Sequence, residues 1–309
     1  MVAKDTLSSK KEPDTIVALS TPPGKSAIAL IRTSGEKSID IVEKIFRSKT
    51  GVKLKDLKSH RIIYGEIYDG KNVIDDVIVS IMRKPKSYTG ENMVEISTHG
   101  NPIIVEKIIK ILIKNGARIA LPGEFTKRAF LNGKMDLTEA EAVAELINSE
   151  TEKELEIARR KLKGELKRRI ESIENKILDV LSQIEAYIEF PLEEIKIESY
   201  KTLKEKLKKA KDELLKLIST YESGRKLKEG IKICITGKPN VGKSTLFNIL
   251  LQKEKAIVTE IPGTTRDILE GRTVIDGLLF NFLDTAGIRK GISGKIESIA
   301  IEKAKKELK

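Results

Sequence analysis

Apolar residues follow two different periods along this chain. Up to about residue 125 they come in short β-branched runs separated by turns; from there to about residue 225 they recur every three or four positions. The first region predicts strands over DTIVALS (14–20) and SAIALIR (26–32), either side of the turn TPPGK. A helix is expected near 36–47, then the strands RIIYGEIYD and NVIDDVIVSIM, joined around Asp69-Gly70. Strand MVEIS, a turn at His99-Gly100-Asn101-Pro102 and an amphipathic helix over about 103–115 complete this part.

In the second region Gly133 stops a short helix, and Thr138 with Glu141 has the spacing of a capping box opening the next. Leu162, Leu166, Ile170, Ile173, Ile177, Leu181, Ile184 and Ile188 then fall on one stripe of a single long helix. Phe190-Pro191 ends it, because proline lacks an N–H and clashes with the preceding turn. A further helix would turn Leu203, Leu207, Ala210, Leu214, Leu217 and Tyr221 inward. The polar stretch SGRKLKEG (223–230) reads as a linker. Beyond it the strand pattern returns at Ile233-Cys234-Ile235 and in GRTVIDGLLFNFLD, a hairpin with its turn at Asp276-Gly277.

The segment Lys232 to Leu250, KICITGKPNVGKSTLFNIL, carries the most specific chemistry. Gly237, Gly242, Lys243 and Ser244 satisfy GxxxxGK[ST] between an apolar strand and a helical stretch, the context that confirms a phosphate loop. Glycines let successive N–H groups point at phosphate oxygens, and the following helix adds the positive end of its dipole. Lys243 would reach the β and γ phosphates and the Ser244 hydroxyl would ligate Mg²⁺; contacts are expected from Asn240, Val241, Gly242, Lys243, Ser244 and Thr245. By contrast Gly24-Lys25-Ser26 is a turn, since Leu19 stands where a phosphate loop needs glycine.

Forty residues after Ser244, Asp284-Thr285-Ala286-Gly287 ends an apolar strand, where such enzymes keep an acid for the Mg²⁺ shell and a glycine N–H for the γ-phosphate. Thr264 and Thr265, between the two motifs, are the natural switch residues. Ile288 follows DxxG where a water-orienting glutamine would otherwise stand. Glu297 is the acid candidate for that task, although the residue also suits a solvated helix start. Asn240 offers an amide oxygen that would hold a monovalent cation beside the phosphates, or brace the loop.

Composition changes this picture little. Lys and Arg number 58 against 46 Asp and Glu, a net +12 that suits a polyanionic partner, but the charges are interspersed as on a solvated surface. Charged residues make up 34% and glutamine occurs only at Gln183 and Gln252, a thermophile-like usage. Cys234 is the single cysteine and lies in a predicted buried strand, so disulfides are excluded; His60 and His99 are too far apart in sequence to suggest zinc. The polar N-terminus and the lack of any apolar run near ~20 residues point to a cytoplasmic protein without a membrane segment.

The order DTIVALSTPPGKSAIALIR, YTGENMVEISTHG, LPGEFTKRAFLNGKMDLTEAEAVAELI, GKPNVGKS, IPGTTRD and DTAG closely resembles the MnmE (TrmE) family of tRNA-modifying GTPases, from Asp14 onward. The resemblance implies a multidomain chain: a mixed α/β folate-binding and dimerisation domain over 1–124, a helical domain from 125 to 222, and a Ras-like P-loop G domain over 223–309. The chain stops at Lys309, past the second switch, so the G domain is expected to be incomplete and guanine specificity is carried by the likeness alone. The family's activity would be GTP hydrolysis coupled, with an FAD-dependent MnmG-type partner in a heterotetramer, to C5 modification of the wobble uridine of tRNA. The one-carbon unit would come from 5-formyltetrahydrofolate or 5,10-methylenetetrahydrofolate.

Carried onto this sequence, folate contacts fall on Arg32, Glu95 and Lys134, and Mg²⁺ on Ser244 and Thr265. K⁺ falls on the Asn240 side chain and on carbonyls of Thr259, Ile261 and Thr264. Glu260, Pro262 and Gly263 complete the nucleotide-facing loop, and Glu297 matches the catalytic glutamate. Two other readings stand beside this one: a folate-binding dimerisation module with a non-functional G stub, and a GTPase of ribosome assembly.

Overall fold

The computed structural model describes residues 14–189, 198–220, 224–225, 229–235, 242, 245–246, 249–250 and 269–284. The chain divides into two compact units, Met1–Ala140 and Glu141–Lys309.

In the first unit the elements run β1 (Thr15–Leu19), β2 (Ser26–Ser34), α1 (Ser38–Glu43), β3 (Phe46–Ser48), β4 (Arg61–Asp69), β5 (Asn72–Met82), β6 (Met93–Gly100), α2 (Pro102–Lys114), β7 (Ala117–Ile119) and α3 (Glu124–Leu131), and the division falls within α4 (Leu137–Asn148). The strands form one sheet in the order β3-β4-β5-β6-β2-β1-β7. Neighbours are antiparallel throughout except β1 and β7, which run parallel. Alternation along the strands sends Ala29, Ile31, Val79, Ile81, Val94 and Ile96 to one face, where Ile39 and Val42 of α1 and Val105, Ile108 and Leu112 of α2 cover them in one cluster. Burying each of the Val, Ile and Leu side chains stabilises by about 1.5–3 kcal/mol, so this layer fixes which face of the sheet is core. Residues of opposite parity, including Arg32 and Glu95, stand on the other face.

Several expectations need correction here. The helix expected near 36–47 ends at Glu43, and Phe46–Ser48 is an edge strand. Tertiary pairing decides this: Phe46 is buried against Gly65 of β4, where a Cβ would lie 2.5 Å from the Phe46 ring and 2.3 Å from the Arg47 carbonyl. Strand β6 runs on through His99 and Gly100, because Gly100 pairs with Ser26; the turn shrinks to Asn101, whose Oδ1 accepts the Ile103 N–H at 2.9 Å and caps α2. Strand β7 has only three residues, too few to leave a periodic signal. The box opening α4 is Asp136 with Glu139, not Thr138 with Glu141: Asp136 Oδ1 accepts from Glu139 N, and Glu139 Oε2 accepts from Asp136 N, each at 2.8 Å.

The second unit contains α5 (Glu152–Leu162), α6 (Glu165–Glu189), α7 (Tyr200–Ser219), β8 (Ile231–Ile235), β9 (Leu269–Ile275) and β10 (Leu278–Asp284). The single long helix is thus two, broken at Gly164, whose φ of +70° suits glycine and closes α5; Leu162 belongs to α5 rather than to the α6 stripe. Ile173 and Val180 of α6 and Ala210 of α7 are buried, whereas Ile170, Ile177, Leu207 and Leu214 stay about half exposed. Two helices cover only a narrow seam of each other, so most of the expected inward stripe is not enclosed by this pair. α6 ends at Glu189, and Phe190, Pro191 and Tyr221 lie outside the described residues.

The three remaining strands form a sheet in the order β8-β10-β9, with the hairpin turn at Asp276-Gly277 as expected. Among the described residues no helix is long and apolar enough to cross a membrane.

Candidate functional site

Strand β10 runs parallel to β8 with Asp284 opposite Ile235. The carboxyl ends of β8, which leads into TGKPNVGKS, and of β10, which leads into DTAG, therefore lie at the same end of the sheet. On the far side of the loop the Gly242 carbonyl accepts the Leu246 N–H at 2.9 Å, and Thr245, Leu246, Ile249 and Leu250 are helical. A strand thus precedes the GKPNVGKS sequence and helical residues follow it, the order that phosphate binding requires. Of the expected nucleotide and metal contacts only Gly242, Thr245 and the backbone of Asp284 are described. Asn240, Val241, Lys243, Ser244, Thr259, Glu260, Ile261, Pro262, Gly263, Thr264, Thr265, Thr285, Ala286, Gly287 and Glu297 lie outside the described residues, as does Ile288. Among the described residues no three His, Cys, Asp or Glu side chains converge to hold a metal.

The first unit places two expected side chains together. Arg32 of β2 stands directly opposite Glu95 of β6; its Nε donates to Glu95 Oε1 at 2.8 Å, and its Nη2 lies 2.7 Å from the same oxygen in an ion pair. Glu95 Oε2 receives no hydrogen bond from the described residues and is left as an acceptor. The guanidinium lies 5.5 Å from the Tyr88 ring and 5.6 Å from the Phe125 ring, within cation–π range of both. Tyr88 Oη and Thr126 Oγ1 share a hydrogen bond at 2.8 Å, tying the loop before β6 to α3. Lys134 reaches the same loop, donating from Nζ to the Pro85 carbonyl at 3.2 Å, and makes no direct bond to the Arg32–Glu95 pair.

Behind the aromatic pair is an ionic network that sequence reasoning did not single out. Arg128 donates from Nη1 to Glu91 Oε2 at 3.1 Å and to the Asp14 carbonyl at 2.9 Å, and from Nη2 to Asp14 Oδ1 at 2.6 Å and Glu124 Oε1 at 3.2 Å. Arg118 grips both oxygens of Glu124, at 2.9 and 2.5 Å, and also bonds Asp14. Glu124 Oε2 accepts the Leu121 N–H at 2.7 Å, while Glu91 accepts from Ser34 Oγ at 2.7 Å.

The Arg118 guanidinium, against the opposing effect of burial, holds the Glu124 carboxyl down at about 2. Burial pushes the Asp14 carboxyl up, but the bonds from Arg118 and Arg128 outweigh it and leave it below the usual range. Charge-assisted bonds of this kind are shorter and stronger than neutral ones, so Phe125 on α3 and Tyr88 on its loop are held at fixed positions about Arg32. The sequence signal is Glu124 and Arg128 four apart on one helix; Arg118 is six residues before Glu124, whereas Asp14 and Glu91 are distant in the chain.

A mixed-sheet unit, a run of helices and a strand that delivers GxxxxGKS define a multidomain P-loop protein whose G domain is incomplete in this chain. Two family models match it: GTP-binding protein TrmE N-terminus over residues 15–134, and MnmE helical domain over residues 137–308. The chain belongs to the MnmE family.

It is 44% identical over 292 residues to the tRNA modification GTPase MnmE of Clostridioides difficile, covering 94% of this chain and 63% of that protein. Identity is 45% over 295 residues to the protein of the same name from Thermotoga petrophila (96% and 64%), and 46% over 292 residues to that of Acetivibrio thermocellus (94% and 63%). The chain therefore spans a little under two thirds of the length of these relatives.

Proposed function

We propose that this chain is the folate-binding, helical and partial G portion of a GTPase that modifies the wobble uridine of tRNA at C5, acting in the cytoplasm with an FAD-dependent MnmG-type partner. The observation that carries the GTPase half is the parallel β8–β10 register, which aligns the carboxyl ends of the phosphate-loop strand and the DTAG strand. In the complete protein Lys243 holds the β and γ phosphates, with Val241, Gly242, Thr245 and the 259–265 and 284–287 segments around the nucleotide. Ser244 and Thr265 hold Mg²⁺. Asn240 and the carbonyls of Thr259, Ile261 and Thr264 hold K⁺, whose charge replaces an inserted arginine. Glu297 orients the attacking water.

The domain roles follow the same division: 1–124 for folate and homodimer formation, 125–222 helical, 223–309 the G domain. The Arg32 site suits a reduced pterin. The free Glu95 oxygen accepts paired N–H donors from a pterin edge, Tyr88 and Phe125 offer flat surfaces, and Lys134 supplies positive charge for a glutamyl carboxylate. A bound tetrahydrofolate would supply the one-carbon unit.

Two separate titrations of the complete protein test the reading, one with 5-formyltetrahydrofolate and one with guanine nucleotide and Mg²⁺. Binding of both is expected. Folate binding alone would reduce the chain to a dimerisation module, and binding of neither would reject both halves. Replacing Glu297 with alanine is expected to abolish K⁺-stimulated hydrolysis while nucleotide affinity stays nearly unchanged; retained turnover would remove that role.

A further inference from the structure

The edge of the first unit's sheet concentrates positive charge that the folate and nucleotide sites do not use. Between Lys44 and Arg61 the chain carries seven basic residues, Lys44, Arg47, Lys49, Lys53, Lys55, Lys58 and Arg61, against the single acid Asp56. Basic runs of similar density occur on the helices, at Arg159–Arg169 and at Lys201–Lys211; this stretch differs from them in lying on a sheet edge beside a cleft. Lys44, Lys53, Lys55, Lys58 and Arg61 are exposed, and none of their side chains has a carboxylate partner among the described residues. Lys49 is the exception and pairs with Glu66.

The stretch is not a loose loop. Leu54 is fully buried beneath it. Arg83 donates from Nε to the Leu57 carbonyl at 2.9 Å and from Nη2 to the Lys55 carbonyl at 2.5 Å, and its own N–H bonds Ser59 Oγ at 2.9 Å. Glu43 Oε2 accepts the Lys55 N–H at 3.0 Å. That glutamate also lines a cleft of about 410 Å³, together with Lys44, Arg47, Tyr68, Asp69 and Lys114. The lysine loop and this cleft, lined by three basic and two acidic side chains, are therefore neighbours. Arg47 lies over the Tyr68 ring, 4.4 Å from its centroid, which holds the guanidinium without neutralising it.

An ordered row of unpaired cations beside a cleft is what the phosphates of a folded RNA recognise, since each contact releases condensed counterions and adds affinity independent of base sequence. We infer that the β3 edge, from Lys44 to Arg61 with Lys114, is a docking surface for the sugar-phosphate backbone of tRNA. The inference rests on the tRNA reading above and adds where on this chain the RNA is gripped. It is a positioning surface and touches no reacting atom.

The test measures binding of unmodified tRNA to the complete protein by fluorescence anisotropy over a range of KCl, for the parent, for Lys53→Gln/Lys55→Gln/Lys58→Gln, and for a control that removes equal charge from α7, Lys204→Gln/Lys208→Gln/Lys211→Gln. These loop substitutions leave Leu54 and Arg83 in place, and an unchanged 5-formyltetrahydrofolate titration checks the fold. The loop variant is expected to bind at least about tenfold more weakly and to lower the slope of log K against log salt by roughly 2–3, since each phosphate-contacting lysine is worth about one. The control should match the parent. Equal affinity and slope in parent and loop variant, or an equal loss in the control, would overturn this surface while leaving the tRNA reading intact. A parent that does not bind tRNA would sink that reading and this one with it. Loss of binding to anionic phospholipid vesicles with tRNA binding unchanged would reassign the patch to membranes.

Discussion

Arg32 and Glu95 face each other across β2 and β6 so that two guanidinium nitrogens converge on one carboxylate oxygen and leave the other free. A folate site built on that open oxygen makes a sharp demand. Glu95→Gln keeps the shape but loses the charge, and a hydrogen bond to a charged group is worth about 1.5–3 kcal/mol. Affinity for 5-formyltetrahydrofolate, measured by calorimetry, is expected to fall about tenfold or more with little change in thermal stability. Undiminished affinity would take Glu95 out of the site.

Arg128 is the hub of the network behind it. Its side chain is 11% exposed and bonds Glu91, Asp14 and Glu124, which lie in three separate stretches of chain. Arg128→Met removes the cation and leaves three carboxylates facing one another. Breaking a fully buried pair costs about 3–5 kcal/mol; here Asp14 and Glu91 are partly solvated, so a loss of about 2–3 kcal/mol in urea unfolding is expected. Folate affinity should drop alongside, because Tyr88 and Phe125 lose their supports.

The acid limb of stability is assigned to Glu124. Its folded-state carboxyl titrates at about 2 against an ordinary 4.5, mainly because of Arg118. A depressed folded value means the contribution is complete above about 4.5 and is lost as pH falls from there towards 2. Unfolding midpoints between pH 5 and 2.5 should fall steeply in the parent and less so in Glu124→Gln. Parallel profiles would show that other carboxylates carry the slope.

At the end of β6, His99 Nδ1 lies 2.7 Å from Asp75 Oδ1. The hydrogen bond to Asp75 raises the imidazole above its ordinary 6.5. The sign is opposite to that of Glu124: the contribution is present below 6.5 and is lost as pH rises through the raised value. An NMR titration of His99 should show this upward shift, and Asp75→Asn should abolish it; titration at 6.5 in the parent would contradict the pairing.

Legibility from sequence tracks the range of the interactions that decide each feature. β1, β2, β4, β5 and the β9–β10 hairpin follow from local alternation and turn residues. β3 does not, because its local pattern is helical and only Gly65, distant in the chain, makes room for Phe46. Leu162 was placed on the wrong helix because the apolar period continues across Gly164 while the backbone does not. Arg32 and Glu95 came from the family likeness; the aromatic rings and Arg128 beside them depend on α3 folding against the sheet, which no spacing reveals.

Leu54 and Arg83 fix the path of the 53–58 segment through one apolar anchor and through main-chain oxygens. The loop's shape is therefore independent of what its outward side chains are. Lysines there can be gained, lost or exchanged for glutamine without altering the scaffold, so the charge of this rim is free to vary while the sheet behind it keeps its form.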